Sequence, residues 1–528
     1  MTSDRRKITA DHLVVVIGSG LAGMSAALRI AGSRPVALVT KHSLGEGSTT
    51  WAQGGIAVAM GPGDSVRAHV VDTLGAGAGM CDARAAHAVC GDAPRVIADL
   101  AAQGVAFDRD DRGLALAREG AHALPRVVHA GGDATGRHVA RALAQRVRAD
   151  AAITVLEHAQ VDDLLVDDRG VAGVRLAGGE CIAARAVVLA TGGSGHLFAR
   201  TTNPRGATAD GPALARRAGA ALADLEMVQF HPTALAAGPS PLGLVSEAVR
   251  GAGGMLSDCH GEPVMAGVHP MGDLGPRDVV ARAVFRRARD TGRDVVLSMA
   301  HLDPRRVHAR FPEVAAMCAV HGIDLARDPV PVTPAAHYAM GGVLTDLRGR
   351  TTVPGLWAVG ECASTGLHGA NRLASNGLLE AAALGRRAAD DVAGGGGAAA
   401  DGPRADPARL ERGTADGAQV RAQVGALMWR HCGLERDADG LSTAAERLEA
   451  IPAPGDATSA GLREVARLVV AAAAARAESR GAHFRTDFPD ADPAQARRTC
   501  WAGDRRYVIP AEAAIPAGAA SIDLTEAA

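Results

Sequence analysis

Short runs of consecutive apolar residues punctuate the first half of the chain, each followed by a polar or Ala-rich stretch. Val14-Val15-Val16-Ile17 is β-branched throughout and has no polar face. Such a run predicts a buried parallel strand. It leads straight into Gly18-Ser19-Gly20-Leu21-Ala22-Gly23, after which an Ala-rich helical pattern runs from Met24 to Ala31. In this strand–turn–helix order the first glycine allows the tight turn. The second lets the backbone approach a phosphate, and the third lets helix pack on strand. The free N–H groups and dipole of the helix N-terminus then attract negative charge. The pattern predicts an adenine-dinucleotide site rather than an incidental Gly-rich turn.

The same reading continues along the chain. Val36-Ala-Leu-Val-Thr40 predicts the next strand, but Lys41 follows it where a nucleotide fold often carries Asp or Glu for a ribose hydroxyl. The substitution weakens a simple NAD site and leaves a cation near the nucleotide. Residues 45–55 are rich in glycine and hydroxyls, as a loop lying against a flat ligand would be. Residues from about 64 to 150 read as helices carrying a loop, and strand-like runs follow at 153–156, 161–166 and 171–176. Ala186-Val-Val-Leu-Ala-Thr-Gly-Gly193 is a second buried strand ending in glycines, and Asp210-Gly211-Pro212 opens a helix. From Met227 to about Thr333, histidines and prolines punctuate what reads as an inserted domain. Strand pattern returns at Gly355–Glu361, a helix begins near Ser375-Asn376, residues 391–400 form a flexible linker, and the pattern beyond about 405 is helical.

Composition narrows the class. At 528 residues the chain needs two or three domains. Its net charge of -2 gives no polyanion-binding surface, so no nucleic-acid partner is expected. The eight cysteines include no Cys-x-x-Cys pair, which argues for scattered thiols in a reducing compartment and against a metal site. Arg5, Arg6 and Lys7 precede an apolar run too short for a secretion signal, and no segment is long enough to span a bilayer. A cytoplasmic protein without membrane partners is expected.

Several longer motifs occur in a fixed order: Ala52-Gln53-Gly54-Gly55, Gln229-Phe-His-Pro-Thr233, Pro276-Arg-Asp278, His337-Tyr338-Ala339-Met340-Gly341-Gly342, Gly360-Glu361 and His368-Gly-Ala-Asn-Arg-Leu-Ala-Ser-Asn376. From about residue 12 to 505 the chain resembles the flavoprotein family of succinate dehydrogenase, fumarate reductase and L-aspartate oxidase, most closely its L-aspartate oxidase members. The resemblance implies an α/β fold in which a Rossmann-like FAD-binding domain (1–224 and 339–400) is interrupted by an α+β capping domain (225–338). A C-terminal helical bundle (405–528) follows. Three positions select among members. Membrane-bound relatives carry a histidine, covalently bonded to FAD, where this chain has Ser48, so the resemblance implies dissociable FAD. Arg118-Glu119-Gly120 resembles the oxidase form of a loop that is uncharged in the dicarboxylate enzymes, and Glu119 would pair with a substrate ammonium. Leu373–Glu380 ends in Glu as the oxidases do.

The resemblance also implies roles. His231, Ser246, His337 and Arg372 would surround substrate carboxylates, with Arg372 suited to bidentate capture. The alternative for His231 is a core or capping histidine. Arg277 would be the proton-transfer group, its alternative being a structural salt bridge with Asp278. Glu247 and Arg250, three apart, would form a proton relay or else a solvated surface pair. For FAD, Gly18–Gly23 (Gly18, Ser19, Gly20, Leu21, Ala22, Gly23) and Lys41 would face the adenosine and pyrophosphate. Ser48, Thr49, Thr50, Trp51, Ala52, Gln53, Gly54 and Gly55 would pass the isoalloxazine, with Asp210 and Glu361 at the ribityl or ribose. Ser375, Asn376, Gly377 and Leu378 would turn a helix N-terminus to the pyrimidine edge. The implied activity is FAD-dependent oxidation of L-aspartate to 2-iminosuccinate, with O2 or fumarate as acceptor, feeding quinolinate synthase in NAD biosynthesis. A soluble fumarate reductase or succinate dehydrogenase subunit is the rival, and a non-catalytic flavin-binding protein a second.

Overall fold

The computed structural model describes residues 12–396, 402, 404–510 and 525–526. Arg5, Arg6, Lys7 and residues 397–400 of the expected linker lie outside the described residues. At the centre is a five-stranded sheet in the order Leu356–Ala358, Ala186–Leu189, Val14–Ile17, Val36–Val39, Ile153–Leu156, with every neighbouring pair parallel. Period-2 alternation divides each strand between two cores. Val14 and Val16 join one apolar cluster with the helices Leu21–Ala31 and Asn376–Ala393, while Val15 and Ile17 join another. The first strand lies mid-sheet with later strands on both sides. Its carboxyl end is therefore a topological switch point, where such sheets bind ligands.

Residues 228–339 build a separate antiparallel sheet in the order Val228–Leu235, Val330–Ala339, Val295–Ser298, Met255–Ser257. It has its own core around Leu235, Val249, Val284 and Val330. The pairing of its first two strands slips between His231 and Ala234. Pro232 stands at that slip, where its missing N–H removes no ladder bond.

Three helices, Gly417–His431, Ala438–Ala450 and Ala457–Ala475, form the C-terminal bundle, and their apolar faces join the core that holds Val15 and Ile17. The helical reading beyond 405 was incomplete. Arg497–Ala502 and Arg505–Pro510 form a hairpin whose first strand pairs with Leu222–Ala223. The linker also starts later than its composition implies, because the helix from Asn376 runs through Asp391 and Val392 to Ala393. Within the expected loop 45–55, Ser48–Trp51 is a single helical turn. Among the described residues no helix is long and apolar enough to cross a membrane, and no His/Cys/Asp/Glu cluster could hold a metal ion.

Candidate active site

The carboxyl ends of four central strands open on one cleft of about 710 Å³. Its walls include Gly18–Ala22, Lys41, the turn Ser48–Gln53, Asp210, Glu361 and the helix start Gly377-Leu378. A Cβ on Gly18, whose φ is +108°, would overlap the Ala190 carbonyl oxygen, and one on Gly23 would overlap the Gly18 carbonyl. The glycines thus hold the turn flat against the next strand. Leu21 N–H donates to Thr49 Oγ1 at 3.0 Å, but neither Gly20 nor Ser375 caps its helix with a side chain. Helix N-termini that lack an N-cap side chain therefore begin at this cavity, as an anionic dinucleotide requires. Lys41 is not a free cation: its Nζ donates to Thr208 Oγ1 at 2.7 Å and to Asp210 Oδ2. Burial pushes the Glu361 carboxyl up to about 7, and its Oε1 accepts the Ala339 N–H at 3.1 Å.

At one end the cavity meets His337, Tyr338 and Arg372. Behind them lies a buried set of charges joined through Gln229. Gln229 Oε1 accepts Arg277 Nη1 at 3.0 Å and Arg372 Nη2 at 3.3 Å, while its amide donates to Asn371 Oδ1 and the Arg372 carbonyl. One neutral oxygen thus holds two guanidiniums together, which favours an incoming anion. Burial, then the neighbouring Arg277, lowers Arg372 to about 10, still protonated at neutral pH. Its guanidinium lies 4.4 Å over the Tyr338 ring, a cation–π platform. The Tyr338 hydroxyl donates to Glu380 Oε2 at 3.1 Å.

His231 and His337 face each other with ring centroids 5.0 Å apart. Burial, then Arg277, drives both imidazoles well below the ordinary histidine range, so both are neutral. His231 Nδ1 accepts the Thr233 N–H at 3.2 Å, which puts its own proton on Nε2 as a donor. His337 Nδ1 lies 2.8 Å from Thr202 Oγ1.

Arg277 begins the helix Arg277–Thr291, and its Nε donates to Glu247 Oε2 at 2.6 Å. It does not pair with Asp278, which accepts from Arg282 and Asn371 instead. Arg250 Nη2 lies 3.5 Å from Glu247 Oε1, and its Nη1 donates to the Asp273 carbonyl. Glu247 and Arg250 are both 2% exposed, which rules out a solvated surface pair. Burial opposes the charge of Glu247, but Arg277 and Arg250 outweigh it and hold the carboxyl below its ordinary range. Ser246 caps this short helix, accepting the Ala248 N–H at 3.3 Å.

Glu119 is buried. Ser375 Oγ donates to its Oε2 at 2.7 Å, and its Oε1 lies 3.5 Å from His129 Nε2 with no hydrogen bond of its own. Burial would raise this carboxyl; His129, Ser375 and Arg277 outweigh it and hold it at about 2.

Some expected cofactor residues do not reach the cavity. Gly54 packs beside Glu119 and Ser375, and a Cβ on Gly55 would overlap the Val128 carbonyl. Asn376 Oδ1 accepts from Nε2–H of the buried His69 at 2.8 Å, and its amide nitrogen donates to Thr73 Oγ1, bracing the helix start from behind. Gln229, Tyr338 and His129 were given no role from sequence. The first two stand inside recognisable motifs, but only the fold brings any of them to the charged cluster.

A parallel dinucleotide sheet, a cavity at its switch point and a buried cluster of guanidiniums fit a dinucleotide-dependent enzyme with an anionic second ligand. Residues 14–378 match the family model described as FAD binding domain, and 457–509 match that described as fumarate reductase flavoprotein C-term. The chain is 47% identical to the L-aspartate oxidase of Streptomyces coelicolor over 95% of this chain and 91% of that protein. It is 40% identical to that of Synechocystis over 94% and 98%. Among solved structures it is similar to E. coli quinol fumarate reductase, with a TM-score of 0.84, 29% identity and coverage of 95% of this chain and 97% of that one. The Mycobacterium smegmatis Sdh1 complex with UQ1 gives 0.78 and 31% over 93% and 91%. The chain belongs to the L-aspartate oxidase family within the succinate dehydrogenase and fumarate reductase flavoproteins, and its cofactor is FAD.

Proposed function

We propose that the chain oxidises L-aspartate to 2-iminosuccinate, holds its FAD without a covalent link, and passes the electrons to dioxygen or fumarate. The observation that carries this reading is the charge set behind the cavity: Arg277 and Arg372 share one amide oxygen beside two neutral imidazoles. L-aspartate presents two carboxylates and one ammonium. Arg372 and the Nε2–H of His231, with His337, take the carboxylates, replacing the weak 3.3 Å bond to Gln229 with charge-assisted ones. Glu119, ionised and with one oxygen unpartnered, takes the ammonium.

Bound FAD supplies the hydride-accepting, two-electron chemistry. Gly18–Ala22 and the helix start at Gly377-Leu378 line its cavity, and Ser48, with a hydroxyl in place of a ring nitrogen, leaves it dissociable. In this reading Arg277 moves the proton, supported by the contacts from Arg277 through Glu247 and Arg250 to the backbone carbonyl of the partly exposed Asp273. The protein works in the cytoplasm, in keeping with its eight free cysteines. Its unstable imine passes to quinolinate synthase in NAD biosynthesis. Replacing Arg277 with Leu is expected to cut aspartate turnover by about a hundredfold to ten-thousandfold while flavin content stays at the wild-type level. Unchanged turnover would remove Arg277 from the mechanism.

A further inference from the structure

Within the aspartate-oxidising reading, the surroundings of Glu119 point to one more residue. Glu119 is 4% exposed, and its two oxygens are treated differently. Oε2 is fixed by the Ser375 hydroxyl at 2.7 Å; Oε1 has His129 Nε2 at 3.5 Å, near enough to steer it and too far to saturate it. His129 follows the short strand Val127–Val128, which pairs with Leu116–Ala117, the strand just before Glu119. The register, Leu116 against Val128 and Ala117 against Val127, leaves Glu119 and His129 beyond opposite ends of that ladder, so their 3.5 Å approach is a specific side-chain contact and not a cross-strand pair. We propose that His129 is a positioning residue acting through Glu119, directing its open oxygen at the substrate ammonium and so separating amino-dicarboxylates from plain dicarboxylates.

The other groups that bear on Glu119 divide in sign. Ser375 and Arg277 favour its charge, Glu247 opposes it, and His122 stands on its own loop. Burial is the largest influence and favours the neutral acid. Without His129 that balance moves toward protonation. Oε1 then also loses the one side chain that steers it toward the substrate ammonium.

The test measures kcat/KM for L-aspartate oxidation and for fumarate reduction at pH 7 in wild type, His129→Leu and His129→Gln, with flavin content and Tm recorded for each. Fumarate carries the two carboxylates and no ammonium. For His129→Leu the ratio of aspartate to fumarate activity should fall about tenfold or more at pH 7. His129→Gln, which keeps an N–H donor, should fall less. If His129→Leu loses flavin, His129→Gln decides alone: a lowered ratio at full flavin content supports the inference. Equal losses for the two substrates, or no recovery by His129→Gln relative to His129→Leu at full flavin content, would overturn it. A wild-type protein that does not oxidise L-aspartate at all would instead overturn the underlying functional reading.

Discussion

The helices of the C-terminal bundle and the helices that open on the cavity begin in opposite ways. Each bundle helix starts on a capping aspartate: Asp416 accepts the Ala418 N–H at 2.7 Å, Asp437 that of Gly440 at 2.7 Å and Asp456 that of Ser459 at 2.8 Å. The helices Leu21–Ala31, Asp210–Arg217 and Asn376–Ala393 start on Gly20, Ala209 and Ser375 with no side-chain cap, and the Ser375 hydroxyl is committed to Glu119. The bundle completes its own hydrogen bonding. The cavity helices have no N-cap side chain, Thr49 taking only the Leu21 N–H, and leave first-turn N–H groups for an anion, at the cost of stability in its absence. The missing caps are themselves a functional signal.

That contrast can be broken in three places. The largest effect is expected from Gly18→Ala, where the new Cβ meets the Ala190 carbonyl at a φ of +108°. Flavin content of the purified protein should fall below about a tenth of wild type, and a fully loaded variant would contradict the close-approach account. A smaller effect concerns Glu361, whose carboxyl burial raises from an ordinary 4.5 to about 7. A group with its folded pKa raised stabilises the fold only while protonated, so its contribution is full below about 4.5 and is lost as pH rises through about 7. In flavin-free protein, denaturant unfolding should show stability falling from pH 5 to 7, by at most about 1.4 kcal/mol per pH unit from this group. Glu361→Gln should flatten that slope, and an identical slope would exclude Glu361 as its source. The smallest effect is expected in the bundle. Asp437→Ala should cost about 0.5–2 kcal/mol of stability and leave FAD affinity unchanged; a matching loss of FAD affinity would show that the two regions are not independent.

Legibility in the sequence followed locality. Val14–Gly23 could be read because strand, turn and helix each announce themselves within ten residues, and the glycine spacing encodes a contact the backbone must make. The strands Ala186–Leu189 and Leu356–Ala358 were readable for the same reason. The hairpin 497–510 was not. Arg497–Ala502 becomes a strand by pairing with Leu222–Ala223, far away in the chain. In the site, charged residues within motifs could be nominated, but the hub function of Gln229 depends on where two distant arginines arrive. His129, outside every motif, has meaning only through its distance from Glu119. The solvated-surface-pair alternative for Glu247 and Arg250 was excluded only by their burial.

The most direct test of the central claim is stopped-flow bleaching of the oxidised flavin band, mixing anaerobic holoprotein with L-aspartate and, separately, with succinate. Rapid bleaching by L-aspartate and little by succinate is the predicted result. Rapid bleaching by succinate with little by L-aspartate would contradict the account, assigning the chain to the dicarboxylate dehydrogenases and leaving Glu119 without its ammonium.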